Sequence, residues 1–120
     1  MITASKGNES LRTYIVRIEN IICFLNEGGE LDNVAALLLE LRDDLRDVLL
    51  QIRKKRYSKY HTRYWEHVYL PAIQEAQLNI YVRSGIDNGH DRWLRQLTYV
   101  KSKLEWYLNV GENPYYADIK

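Results

Sequence analysis

Residues 51–70 read QIRKKRYSKYHTRYWEHVYL, and the fold turns on whether this stretch continues the helix before it or bends away. That helix is well marked. Apolar residues recur at Val34, Leu37, Leu38, Leu41, Leu45, Val48, Leu49 and Ile52, with the three-and-four spacing of a helical stripe. Carried past Ile52, the stripe would put Lys55, Arg56 and Lys59 in the core. The rings Tyr57, Tyr60 and Tyr64 fall about one residue out of its phase. A turn or bend is therefore expected within Lys55 to Thr62, with Ser58 or Thr62 as a new cap. The alternative is one helix from Asn33 to Tyr69. It would be roughly 55 Å long at 1.5 Å per residue and would imply a dimer or an extended arm.

Working outward, three further helices are expected. Leu11, Tyr14, Ile15, Ile18, Ile21, Ile22 and Leu25 form the stripe of the first, with Asn8 or Ser10 as cap and Gly28–Gly29 as stop. Asp32 is the expected cap of the second, with Leu31 as its staple. The third runs from Tyr64 to about Ser84 and is expected to kink at Pro71, which lacks an N–H. Gly85 and Ile86 to Gly89 make a turn, and Asp87 or Asn88 caps the fourth helix. Its stripe is Trp93, Leu97, Val100, Leu104 and Leu108, stopped by Gly111 and Pro114. The fold class predicted is all-α: a single domain, residues 1–120, built as a bundle of about four helices. Residues 1–7 form a loose arm and 112–120 a short tail.

Composition is that of an ordinary globular chain, 46% apolar and 28% charged. The formal charge is +1, but it is unevenly spread. Residues 1–52 carry nine acids and five bases, residues 53–63 six bases and no acid, and residues 64–120 seven acids and six bases. Any attraction for phosphates or acidic partners must come mainly from the middle. Nine of the ten tyrosines and all three tryptophans follow Arg56. The lone Cys23 reads as a small core residue in a reducing compartment. The opening MITASKGNES has no apolar run of the signal-peptide kind. No apolar stretch reaches the roughly 18 residues that a membrane span needs. A cytoplasmic protein that spans no membrane is the expectation.

Two groups of residues are candidates for binding. Arg53, Lys54, Lys55, Arg56, Lys59 and Arg63 stand beside Tyr60 and Tyr64 in the opening stretch. Cations that neutralise phosphates, next to rings that stack on bases, suit RNA or single-stranded DNA. The same pairing suits an acidic protein surface. A solvated face beside a tyrosine-rich core edge explains the stretch equally. The second group is Arg92, Arg95, Tyr99, Lys103 and Trp106, spaced 3, 4, 4 and 3 along the fourth helix. This stripe lies more than a quarter-turn from the core stripe. Either a neighbouring helix covers its rings, or they form an exposed partner surface.

No motif calls for a metal, a small-molecule cofactor or a nucleophile. His61, Glu66 and His67 match no metal spacing, and there is no phosphate-binding glycine loop and no G-x-S-x-G. Arg56-x4-His61 resembles the Arg-x4-6-His pattern of HEPN-type ribonucleases, which are small helical bundles. The resemblance covers six residues, and Tyr57 stands where that family usually has a polar residue. It implies that Arg56 steadies a scissile phosphate and His61 acts as general acid or base. The residues themselves favour a non-enzymatic binding or adaptor protein. Its expected partner is another protein or a second copy of itself. The alternatives are a nucleic-acid-binding subunit of a ribonucleoprotein-type complex and a ribonuclease.

Overall fold

A computed structural model describes residues 4–54, 63–80 and 89–113. The chain forms α1 (Ala4–Asn26), α2 (Leu31–Lys54), a π-helical turn (Trp65–Tyr69) leading directly into α3 (Leu70–Asn79), and α4 (His90–Gly111). There is no strand among the described residues, and the all-α bundle read from the apolar periodicity is the fold. No helix among them is long and apolar enough to cross a membrane.

Each helix packs on its neighbours in a ring: α1 on α2, α2 on α3, α3 on α4, and α4 back on α1, the last being the most extensive contact. Side chains fix the directions. Arg12, Glu19 and Leu25 of α1 meet Glu112, Lys101 and His90 in that order, so α1 and α4 are antiparallel. The Arg17–Asp44 ion pair at 2.9 Å spans α1 and α2. Such exposed pairs contribute about 0–1 kcal/mol each, so they select the pairing more than they hold it. The core holds the fold together. Leu11, Ile18, Leu38, Leu41, Leu45 and Leu97 are among its fully buried members, each worth about 1.5–3 kcal/mol. Because α2 and α3 pack side by side, the chain reverses between them. One helix from Asn33 to Tyr69 is excluded. Residues 55–62 lie outside the described residues, and with them the expected caps Ser58 and Thr62.

The loop from α1 to α2 follows the expected glycine logic. Gly28 takes φ +82°. Its N–H donates to the Leu25 carbonyl, and the Gly29 N–H donates to the Phe24 carbonyl at 2.9 Å. These are the paired bonds of a Schellman stop. Other boundaries differ from expectation. Residues 1–3 lie outside the described residues, but from Ala4 onward the arm is helix, so Asn8 is an interior residue and not a cap. α2 begins two residues early, at Leu31, with the Val34 N–H donating to the Glu30 carbonyl. Asp32 therefore sits in the first turn, where its charge suits the helix dipole, and Leu31 is exposed rather than stapled. α3 ends at Asn79, not near Ser84, because Ile80 turns to an extended backbone with its side chain buried. The Asn79 side-chain amide donates back to the Glu75 carbonyl at 2.8 Å. Gly89, not Asp87 or Asn88, occupies the cap position of α4. Cys23 is exposed rather than in the core.

The π turn carries the described part of the aromatic stretch along the core. The Leu70 N–H donates to the Trp65 carbonyl, five residues back. Pro71 follows in α3 within the same continuous helical run and has no N–H to donate back into that turn. Tyr64 and Trp65 are both buried, and so are Val68 and Tyr69. Trp65 and Tyr69 lie 4.5 Å apart between ring centroids, with Tyr64 edge-on to Trp65 at 6.0 Å. The Tyr64 hydroxyl donates to Asn8, and the Tyr69 hydroxyl pairs with Ser10 at 2.8 Å. Both bonds tie the aromatic cluster to α1.

Candidate binding face

The two groups of candidate residues fare differently. Arg53 and Lys54 close α2. Lys55, Arg56, Lys59 and Tyr60 lie outside the described residues, as do Tyr57 and His61. Arg63 is exposed at the start of the third helical segment. Tyr64, expected on the docking surface, is instead fully buried. Its hydroxyl meets Asn8 of α1 inside the bundle, and Trp65 is buried beside it. The rings of 64–69 therefore belong to the core and leave the described part of this stretch without a ring-bearing face.

The stripe on α4 is one surface. Trp93, Leu97, Val100 and Leu104 point into the core, which fixes the rotation of the helix. At a period of 3.6 residues, that rotation sends Arg95, Tyr99 and Trp106 outward. Tyr99 is 46% exposed and Trp106 58%. Arg92 and Lys103 flank them, half-buried. The Lys103 ammonium sits 5.8 Å from the centre of the Tyr99 ring, a cation–π distance.

The seam between α3 and α4 shapes this face. Glu75 of α3 accepts from the Tyr99 hydroxyl at 2.9 Å and from the Tyr107 hydroxyl at 3.4 Å. The hydrogen bond to that carboxylate raises the Tyr99 pKa, and burial with the same charge raises that of Tyr107. Both hydroxyls stay protonated and hold the rings against the seam. Trp106 stands edge-on to Tyr107 at 4.9 Å. Two open grooves flank this anchor. One, of about 380 Å³, is lined by Asn79, Arg92, Arg95, Gln96 and Tyr99. The other, about 530 Å³, runs past Lys103, Trp106 and Tyr107. In the first, Gln96 Oε1 is buried with no hydrogen-bond partner among the described residues.

Glu75 and Gln96 carry no motif, and no sequence signal marks them. Both are single polar residues on helices; Gln96 sits on α4 beside Arg95, and the packing of α3 on α4 brings Glu75 to the stripe. No group of three or more His, Cys, Asp and Glu among the described residues could hold a metal ion.

Known proteins supply no template. No family model, no curated protein and no solved structure matches the chain.

Proposed function

We propose that this chain is a non-catalytic binding or assembly module that holds a macromolecular partner against the outward face of α4, in a cytoplasmic setting. One observation carries the reading. Two large rings, Tyr99 and Trp106, remain open on a single helix face with Arg95 and Lys103 around them. Their counterparts Tyr64, Trp65, Tyr69 and Trp93 are buried. Exposed aromatic residues beside arginine are the composition of interface hot spots. The Glu75 clamp on Tyr99 reduces the entropy that ordering the ring would cost on binding.

A second reading keeps the same face but gives it RNA or single-stranded DNA. The alternation of cation and ring from Arg95 through Lys103 supports it, since rings can stack on bases while cations meet phosphates. The ribonuclease reading gains no support, because Arg56 and His61 lie outside the described residues.

Capture from native lysate, with and without nuclease, compares wild type with Trp106→Ala and with Arg95→Ala plus Lys103→Ala. Specific partners that vanish with either variant support the α4 face. Partners that persist with both overturn it. A captured ligand lost to nuclease, with affinity falling steeply as salt rises, moves the reading to nucleic acid.

A further inference from the structure

Resting on that reading of α4, we infer that the partner is a second copy of this chain, which seats the outward face of its α2 on the α4 face of its neighbour. In the ring of four helices, α2 and α4 occupy opposite corners, so their outward faces point away from each other. Those faces also differ in chemistry. α2 turns Glu40 and Asp47 to solvent between Leu39 and Leu50, which are 38% and 43% exposed. α4 offers Arg95 and Lys103 in alternation with Tyr99 and Trp106.

The geometry of the bundle matches the two faces in direction and in height. α2 starts just after the glycine stop of α1, and His90, the first residue of α4, bonds through Nε2 to the Leu25 carbonyl near that same stop. Both helices therefore start at one end of the molecule and run the same way. Copies set side by side without inversion bring α2 of one parallel to α4 of the next. Leu39 lies eight residues after Leu31, and Tyr99 nine after His90. Asp47 lies sixteen residues into α2 and Trp106 sixteen into α4, with Lys103 one turn earlier. Leu39 thus stands nearly level with Tyr99, and Asp47 lies within one turn of Lys103 along the same span.

Charge also decides the symmetry. A two-fold pair would lay α2 on α2 or α4 on α4, setting acids against acids or bases against bases. The favoured contact is heterologous, one face on the other, and it leaves a free face of each kind at the two ends. Repetition extends a row of subunits or closes a ring.

Sedimentation velocity on the full chain over a range of concentration, at low and at high salt, tests this. The expected result is a mass that climbs past two chains with concentration and falls back as salt rises. Glu40→Lys with Asp47→Lys should leave a single chain, as should Arg95→Glu with Lys103→Glu. An equimolar mixture of the two variants should assemble again, because each restores the complement of the other. A wild type that stays one chain throughout overturns the inference, as does a mass that stops at two or a mixture that does not assemble. A monomeric wild type whose captured partner still depends on Trp106 sinks self-assembly but leaves the α4 reading standing. Assembly that survives Arg95→Glu with Lys103→Glu sinks both. Circular dichroism of each variant, matching wild type in helix content, keeps misfolding out of the comparison.

Discussion

The Tyr64 hydroxyl donates to Asn8 Oδ1 at 2.8 Å inside the bundle, joining residues 56 apart in the chain. Tyr64 is fully buried and Asn8 is 6% exposed, so neither group can turn to water if the other is removed. Asn8→Ala should cost about 1–3 kcal/mol, the penalty of a buried hydroxyl left without an acceptor. Urea unfolding should show a lower midpoint at unchanged slope. Tyr64→Phe should also destabilise, and the double variant should lose less than the sum of the two single losses.

Two glycines press on this pair, and they reverse the usual rule for glycine in helices. A Cβ on Gly111 would stand 2.6 Å from Asn8 Oδ1 and 2.8 Å from the Tyr64 ring, and one on Gly7 would enter that ring. Alanine in a helix interior is ordinarily favoured over glycine by about 1 kcal/mol. Here overpacking should win by about 1–3 kcal/mol. Gly7→Ala and Gly111→Ala should each lower the melting temperature, and a rise in either would contradict the close packing described.

Burial pushes the Tyr14 hydroxyl up to about 12, and burial also raises that of Tyr69. An unfolded tyrosine titrates near pH 10, so above that pH the unfolded chain gives up protons that the folded chain keeps. The stabilisation from Tyr14 should be complete below about pH 10 and lost as pH rises toward 12, at a slope approaching roughly 1.4 kcal/mol per pH unit. Melting temperature against pH should fall along that limb, and Tyr14→Phe should flatten it.

Cys23 sits on the exposed side of α1. A water-soluble disulfide reagent should label the native protein at one thiol, at a rate insensitive to mild denaturant. Labelling that waits for global unfolding would place the thiol inside.

The sequence makes some of this legible and hides the rest for definable reasons. The stripes of α1, α2 and α4 are readable because a regular helix keeps the same period from end to end. Leu38, Leu41 and Leu45 are buried as that period requires, and so are Trp93, Leu97 and Leu104. The aromatic stretch is not readable in this way. A π turn changes the period at Trp65 to Tyr69, and tyrosine, with its apolar ring and polar tip, suits either side of a helix. What sends Tyr64 inward is an acceptor on α1, 56 residues away, that no local pattern reveals. Cys23 and Phe24 are neighbours on one helix, and composition favours burial for both. Phe24 packs on the core edge, while Cys23 falls a step round the helix and faces out. On α4 the stripe from Arg92 to Trp106 is legible as a stripe. That Glu75 anchors its tyrosine is known only once α3 lies beside it.

The ring of helices closes between its first and last members, α1 and α4. On the ribosome, α1 is made first and its main cover last. Through most of synthesis its leucines and isoleucines have only α2 and the aromatic turn to shield them, so the nascent chain is most exposed to aggregation until Trp93 to Leu104 clear the exit tunnel.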